Sequence, residues 1–479
     1  MNNSILKMFG FALLVMAAAC LSSIARAADQ KPNIVYIVSD DQGWKDVGYH
    51  GSDIKTPNID KLAAGGVRFE QFYAQAMCTP TRAALMTGRY PFRYGLQTAV
   101  IPAGYAYGLA TDEWLLPQAL KDAGYYTAIV GKWHLGHGDP KYWPRQRGFD
   151  YQYGPLIGEI DYFTHKEHDT TDWYRDNKVV EEPGYSTTLL GDDAVKLINA
   201  QDSSKPFYLY LTFNAPHTPY QAPQEYLDKY KNIADPSRRA YAGAITAMDD
   251  QIGRVVDALD KKGLRDNTLI VFQTDNGGTR NAMFSGTMTD MSKVVIPCDN
   301  GPYREGKGTL YEGGTRVIAL ANWPGHIQPG TTVVGMMHVV DMYPTLAGLA
   351  GAPLGKNKPL DGIDMWATIS QGKPSPRTEV IYGIESFRAG VREGDWKLIW
   401  RTPLPQAVEL YNIPQDPSEK NNLAAQHPEK VAELQKRGNE LAASGVKSLL
   451  LQIEFKAMQQ RMAAPAVIPG EDLEFNEEQ

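Results

Sequence analysis

The sequence reads as an α/β protein with a large, mostly parallel central sheet flanked by helices, followed by a smaller C-terminal α+β domain. Three observations predict this. Five apolar, β-rich runs end in polar or glycine-rich residues: Asn33–Ser39, Tyr126–Val130, Phe207–Phe213, Thr268–Gln273 and Arg316–Leu320. Helical patterns separate several of them, at Asp112–Ala123, Leu189–Gln201 and Ala240–Lys262. Strands that are apolar throughout belong in a sheet covered on both faces, and their alternation with helices implies parallel connections. Finally, apolar residues make up 43%, charged residues 22% and aromatic residues 10% of the chain, which fits a globular core and excludes a wholly disordered one.

Taken in order, the chain of 479 residues opens with Lys7, the apolar run from Met8 to Leu21, and the small-x-small site Ala25-Arg26-Ala27. Residues 1–27 therefore read as a secretory signal peptide, and the product is expected to be exported, periplasmic or secreted. The alternative is a lipoprotein leader, with Ala17-Ala18-Ala19 before Cys20 and an outer-membrane anchor. No other stretch has the length and apolarity of a transmembrane segment. Losing Lys7 and Arg26 takes the net charge from −7 to −9, and a chain so acidic offers no positive footprint for nucleic acid. If its substrate is an anion, the positive contacts must be few and local. Cys78 and Cys298 remain after cleavage, so no disulfide framework is in use. Cys298 reads as an inert buried thiol.

The α/β domain is expected over residues 28–385. In such sheets ligands sit beyond the carboxyl ends of the strands. The first strand runs into Asp40-Asp41, the second into Gly131-Lys132-Trp133-His134, the third into Ala215-Pro216-His217 and the fourth into Asp275-Asn276-Gly277-Gly278. Each ending alone is a cap, a turn or a packed histidine. Together they place carboxylates, an amide, a lysine and two histidines on one rim. Beyond about Gly362, short β pieces surround the turn signal Glu393-Gly394-Asp395, and a capped helix follows at 428–444. These give a small sheet-plus-helix domain over 386–462, with Val431, Leu434 and Leu441 facing its core. Residues 463–479 form an acidic, flexible tail.

The sharpest motif is Cys78-Thr79-Pro80-Thr81-Arg82, trailed by Thr87-Gly88-Arg89. Six specified positions recur by chance roughly once in 10⁵ chains of this length. Pro80 suits the first turn of a helix, which puts Cys78 at the positive N-terminus, where anions and activated nucleophiles are favoured.

In this motif the sequence resembles the sulfatase family, whose signature is C-x-P-x-R followed by T-G-R. The resemblance extends through Ser39-Asp40-Asp41-Gln42-Gly43, Gly131-Lys132-Trp133-His134-Leu135-Gly136, Ala215-Pro216-His217 and Thr274-Asp275-Asn276-Gly277-Gly278. It continues at Gly306-Lys307-Gly308-Thr309-Leu310-Tyr311-Glu312-Gly313-Gly314, Gly394-Asp395-Trp396-Lys397-Leu398 and Glu409-Leu410-Tyr411-Asn412. It implies an alkaline-phosphatase-like sandwich. Thr56-Pro57-Asn58-Ile59-Asp60 and Asp161-Tyr162-Phe163 look most like the arylsulfatase B branch, whose members act on N-acetylgalactosamine 4-sulfate.

Carried over residue by residue, the resemblance implies the following chemistry. A maturation enzyme oxidises Cys78 to formylglycine (3-oxoalanine). Asp40, Asp41, Asp275, Asn276 and the modified Cys78 hold a hard divalent cation, Ca²⁺ in preference to Mg²⁺. One hydroxyl of the hydrated aldehyde attacks sulfur, and loss of the proton from the other expels sulfate. Arg82 steadies the formylglycine and the carboxylates, while Lys132 and Lys307 bind sulfate oxygens. His134 accepts the proton from the hydrate, and His217 protonates the leaving oxygen. His165, and with it Asp161 and Tyr162, has a claim to the substrate pocket. His165 and His168 resemble a zinc pair, but their oxygen-rich, cysteine-free setting argues against zinc. The segment Thr279–Arg304 is long for a compact domain and appears longer than in the arylsulfatase B pattern, so the substrate of that branch does not transfer.

The expected activity is hydrolysis of O-sulfate esters, from sulfated carbohydrates or aryl sulfates. Two alternatives stand beside it: a phosphodiesterase or phosphonate monoester hydrolase on the same scaffold, and a binder of sulfated glycans in which Cys78 stays unmodified.

Overall fold

The structure, a computed structural model, describes residues 31–202, 204–280, 296–402 and 406–463. The expected leader with Cys20, residues 464–479 of the tail, and residues 281–295 of the long segment lie outside the described residues. Ten strands form the main sheet: β1 (Asn33–Ser39), β2 (Val67–Tyr73), β3 (Tyr126–Gly131), β4 (Tyr151–Gly154), β7 (Tyr174–Arg175), β8 (Lys178–Val179), β9 (Phe207–Thr212), β10 (Thr268–Thr274), β11 (Ala319–Asn322) and β12 (Thr331–His338). Their spatial order is β12-β2-β11-β10-β1-β9-β3-β4-β7-β8. The centre, β10-β1-β9-β3-β4, is parallel, while β11, β7 and β8 run antiparallel to their neighbours. A separate hairpin pairs β5 (Lys166–Glu167) with β6 (Thr170–Thr171).

Every residue of β1, β9 and β10 is buried. The period-two geometry of a strand divides their side chains between two cores. On β1, Ile34, Tyr36 and Val38 enter one core and Val35 and Ile37 the other. The first core is closed by helices α2 (Cys78–Thr87), α3 (Leu116–Asp122) and α6 (Met342–Ala350). The second is closed by α1 (Pro57–Ala64), α4 (Ser186–Ala200) and α5 (Pro236–Lys261). No helix among the described residues is long and apolar enough to cross a membrane.

Several boundaries differ from the sequence reading for identifiable reasons. The helix expected from Asp112 starts at Leu116, where Pro117 occupies the first turn. α5 starts before Ala240 because Pro236 opens it and the Asp235 side chain accepts from Arg238 N at 2.6 Å. The strand expected at Arg316–Leu320 lies at Ala319–Asn322, since Glu312–Thr315 forms a helical turn and Arg316 N bonds Glu312 O at 2.8 Å. β2 and β12 carry no clean strand pattern in the sequence: β2 mixes Arg68, Glu70 and Gln71 into its apolar run, and β12 is the sheet's edge.

The second sheet is antiparallel, β13 (Glu379–Ile384), β14 (Arg388–Glu393), β15 (Trp396–Arg401) and β16 (Ala407–Asn412). Glu393 pairs with Trp396 across Gly394 and Asp395, a two-residue hairpin in which Gly394 has φ 55°. Helix α7 (Pro428–Ala443) buries Leu434 and Leu441, and α8 (Leu449–Ala463) ends the described chain. Lys397 of β15 is fully buried between Glu312 and Glu419, with Nζ 2.9 Å from a carboxylate oxygen of each. The small sheet thereby grips the loop that follows Lys307.

Candidate active site

The parallel centre delivers its side chains from strand ends. β1 leads into Asp40 and Asp41, β3 into Lys132 and His134, β9 towards His217, and β10 into Asp275 and Asn276; all are buried. Gly131, with φ 115°, ends β3 where a Cβ would lie 1.8 Å from Thr212 O, so only glycine fits the turn. Asp41 and His134 also adopt left-handed backbone, at φ 62° and 56°. Such conformations are uncommon in residues other than glycine, and they cluster at functional sites.

Cys78 is the first residue of α2, and its Sγ donates to Asp40 Oδ1 at 3.4 Å. Burial, then Asp275 and Asp40, push the thiol well above its usual range, against Lys132 and Lys307. The helix terminus therefore does not activate the thiol as its position alone suggests; two carboxylates and desolvation outweigh it. One turn on, Arg82 Nη2 meets Asp275 Oδ2 at 2.9 Å and Asp40 Oδ2 at 3.6 Å, while Nη1 donates to Thr212 Oγ1 at 2.5 Å. Lys132 Nζ lies 2.5 Å from Asp40 Oδ2, and Lys307 Nζ 2.7 Å from Asp41 Oδ2.

Lys307 arrives from the far end of the long segment. Asn300 closes the described ends of that segment, accepting from Gly278 N and donating to Gly278 O, both at 2.9 Å. Lys307 N then bonds Gly278 O at 3.2 Å. Cys298, also buried, is pushed up to about 12, first by burial and then by Asp46.

The carboxylates are electrostatically unequal. Burial raises Asp40, but Lys132, His217, Arg82 and Lys307 outweigh it and hold Asp40 well below the carboxylate range. Burial and the neighbouring Asp40 lift Asp275 to about 7 despite Arg82. Arg82 alone therefore does not keep Asp275 in the ordinary carboxylate range. Ligand atoms of Asp40, Asp41, Cys78 and His217 lie within 4.8 Å of one another. Asn276 Nδ2 donates to Asp41 Oδ1 at 2.8 Å, whereas Asn276 Oδ1 is buried without a partner. An orphaned buried acceptor costs about 1–3 kcal/mol. Carboxylates plus that amide oxygen are the donor set of a hard cation.

The two histidines present different atoms. His134 Nε2 contacts Ile101 O at 3.3 Å and so carries the proton, leaving Nδ1 buried and unpartnered. Burial, then Lys132 and Arg82, hold His134 well below the histidine range, which keeps Nδ1 free to accept. His217 Nδ1 donates to Thr218 O at 2.7 Å, so Nε2, 3.1 Å from Lys307 Nζ and 3.5 Å from Asp41 Oδ2, is the ring atom turned to the cluster. Thr79 Oγ1 ties α2 to His134 O at 2.9 Å, and the Tyr162 hydroxyl bridges Asn214 O and His217 O at 2.9 and 2.8 Å. Tyr162 is fully buried and braces the His217 turn. Thr79, Thr212 and Asn300 were not singled out in the sequence, where nothing distinguishes them from ordinary polar residues.

The structure brings together Asp40, Asp41, Cys78, Arg82, Lys132, His134, His217, Asp275, Asn276 and Lys307. It sets His165 apart: that ring stacks on Trp173 at 4.5 Å and bonds Gly184 O at 3.1 Å. Asp161 caps its own loop through Phe163 N and Thr164 N.

A family profile described as "Sulfatase" matches residues 32–352, and one described as "N-sulphoglucosamine sulphohydrolase, C-terminal" matches residues 305–444. The chain is 37% identical to mouse arylsulfatase J over 80% of its length and 64% of that protein's. It is 34% identical to mouse N-acetylgalactosamine-6-sulfatase, over 77% of its length and 72% of the relative's. Among solved structures, Ps i-CgsB in complex with k-i-k-neocarrahexaose superposes with a TM-score of 0.80 at 34% identity, covering 91% of this chain and 98% of that one. The chain thus spans just under two thirds of the length of arylsulfatase J.

Proposed function

Since the chain belongs to the sulfatase family, we propose that it is an exported enzyme hydrolysing O-sulfate esters of glycans or aryl alcohols at the site built around Cys78. The observation that carries this reading is the setting of that cysteine. Its thiol is buried between carboxylates that suppress the thiolate, yet two lysines, an arginine and His217 converge on those same carboxylates. Thiolate nucleophilic chemistry is disfavoured there, whereas an oxygen group at position 78, produced by a maturation enzyme, suits the surroundings. Formylglycine at that position supplies the oxygen nucleophile. Asp40, Asp41, Asp275 and Asn276 would hold the divalent cation, calcium before magnesium, which supplies Lewis-acid polarisation of the sulfate.

The chain's own groups account for the remaining work. Lys132 and Lys307 place ammonium charge where sulfate oxygens gain charge in the transition state. Arg82 is fixed through its two terminal guanidinium nitrogens to Thr212 and Asp275 and holds the carboxylate frame. His134 Nδ1 takes up a proton, and His217 Nε2 delivers one to the leaving oxygen. In sum, an ester R–O–SO₃⁻ and water become R–OH and hydrogen sulfate. Similarity to a structure whose ligand is a hexaose supports a carbohydrate substrate.

The test compares kcat/KM on an aryl sulfate with that on the matching aryl phosphodiester. A preference for the sulfate is expected; a clear preference for the phosphodiester overturns the reading.

A further inference from the structure

Lys132 and His134 lie beyond the end of β3, in chain that belongs to no strand. A turn at 155–158, which follows β4, runs alongside them. Trp133 N donates to Pro155 O at 3.1 Å, and His134 N donates to Leu156 O at 2.8 Å. Gly158 closes the turn with φ 86° and packs on the Lys132 stem, where a Cβ would lie 2.4 Å from Cγ and 2.5 Å from Cδ. One short turn therefore fixes both the backbone of His134 and the path of the Lys132 side chain.

The turn is in its own place held by a single side chain. Asp172, between β6 and β7, accepts Leu156 N on Oδ1 at 2.9 Å. Its Oδ2 accepts Ile157 N at 2.8 Å and Gly158 N at 2.9 Å. Three successive amides outside any helix or strand need an acceptor, and together they form a concave set of donors suited to an anion. Here the chain supplies that anion itself. Asp172 is buried, and burial raises its carboxyl above the usual range, against the three amides and then Lys132. Desolvating a carboxylate is costly. Among the described residues its oxygens serve this turn alone, so that cost is met for the sake of the turn.

We propose that Asp172 is a positioning residue for the sulfate site, which through the turn at 155–158 sets where the Lys132 ammonium and the His134 ring stand. It acts on the turn, and the turn acts on the two catalytic groups by direct contact. Without the carboxylate the three amides lose their common acceptor, the turn reorganises, and Lys132 loses the surface that directs its stem. The inference rests on sulfate-ester hydrolysis at Cys78, with Lys132 on the sulfate.

The experiment uses the mature enzyme, an aryl sulfate as substrate and inorganic sulfate as a competitive inhibitor, at a temperature where circular dichroism shows each variant folded. A displacement of about 1 Å at a catalytic group costs about 100-fold in rate, so Asp172→Ala is expected to lower kcat/KM by about that factor and to raise the inhibition constant of sulfate about tenfold. A loss of folded protein alone scales kcat and leaves KM and the inhibition constant at wild-type values. Asp172→Asn keeps a carbonyl oxygen for the two amides that share Oδ2 and is expected to raise the constant about threefold, between wild type and Asp172→Ala. Gly158→Ala leaves Asp172 intact but drives a methyl group into the Lys132 stem, and is expected to raise the constant as well. Should Asp172→Ala not fold, the other two variants decide: raised constants uphold the proposal, and wild-type constants overturn it. A wild-type constant in folded Asp172→Ala likewise overturns it, leaving Asp172 with stability alone. Wild-type hydrolysis of sulfate esters alongside unchanged variants sinks this inference only, whereas a wild-type enzyme that hydrolyses no sulfate ester sinks the functional reading.

Discussion

Replacing Lys132 with Met probes the site through both stability and catalysis. Met keeps an unbranched apolar stem against Gly158 but removes the ammonium 2.5 Å from Asp40 Oδ2. Both partners are fully buried, so among the described residues Asp40 Oδ2 would keep Arg82 Nη2, at 3.6 Å, as its ion-pair partner. Breaking one side of a buried pair costs about 3–5 kcal/mol because the remaining charge is left uncompensated. The sign of the pH dependence follows from Asp40. Its folded pKa is depressed, so its contribution to stability is present above the unfolded carboxylate value of about 3.9 and is lost as pH falls through the folded value. Lys132 is the largest of the charges that depress it, so the variant raises the folded value. Thermal unfolding of chelated wild type and Lys132→Met at pH 7 and pH 4 reads the effect directly. The variant is expected to melt several degrees lower at pH 7, with the gap narrowing at pH 4. Adding Asp40→Asn should recover much of the stability at pH 7, since no charge is then stranded, but none of the activity. Equal melting temperatures at pH 7, or a gap that widens towards pH 4, would refute the ion-pair reasoning.

Other expectations are simpler. Cys78→Ala should abolish turnover while leaving near-ultraviolet circular dichroism unchanged, and retained turnover would remove Cys78 from the chemistry. Chelation should inactivate the enzyme, with calcium restoring activity better than magnesium; Asn276→Leu should weaken calcium binding, read by the concentration needed for recovery. The acidic limb of the pH profile assigned to His134 should fall below the ordinary histidine value of about 6.5, because burial, Lys132 and Arg82 all disfavour its charged form. A limb at or above 6.5 in wild type would place the proton acceptor elsewhere.

Much of the fold was legible because the central strands are buried on both faces. The runs at Asn33–Ser39, Tyr126–Val130 and Thr268–Gln273 have no polar alternation to mislead a reader, and the structure returns them within a residue or so. Edge and flanking elements were harder. β2 carries Arg68, Glu70 and Gln71, and β12 shifts register between Val333 and Met336, so neither reads cleanly at period two. The polar residues at strand ends could be assembled from the sequence because a parallel sheet collects such ends on one rim. The supporting contacts could not. Thr212 under Arg82 and Asn300 across the long segment act over separations that no local pattern encodes. His165 shows the converse error risk: a histidine near a substrate-like motif looks available in sequence, yet Trp173 and Gly184 occupy its ring. The helix-terminus argument at Cys78 was incomplete for the same reason, since Asp40 and Asp275 come from strands distant in sequence.

The central claim is that an oxygen function made from Cys78, rather than its thiol, is the reacting group. Mass spectrometry of the proteolytic peptide containing Cys78, taken from active mature enzyme, tests it most directly. The expected residue has its sulfur replaced by oxygen with loss of two hydrogens; an intact thiol in fully active enzyme would refute this.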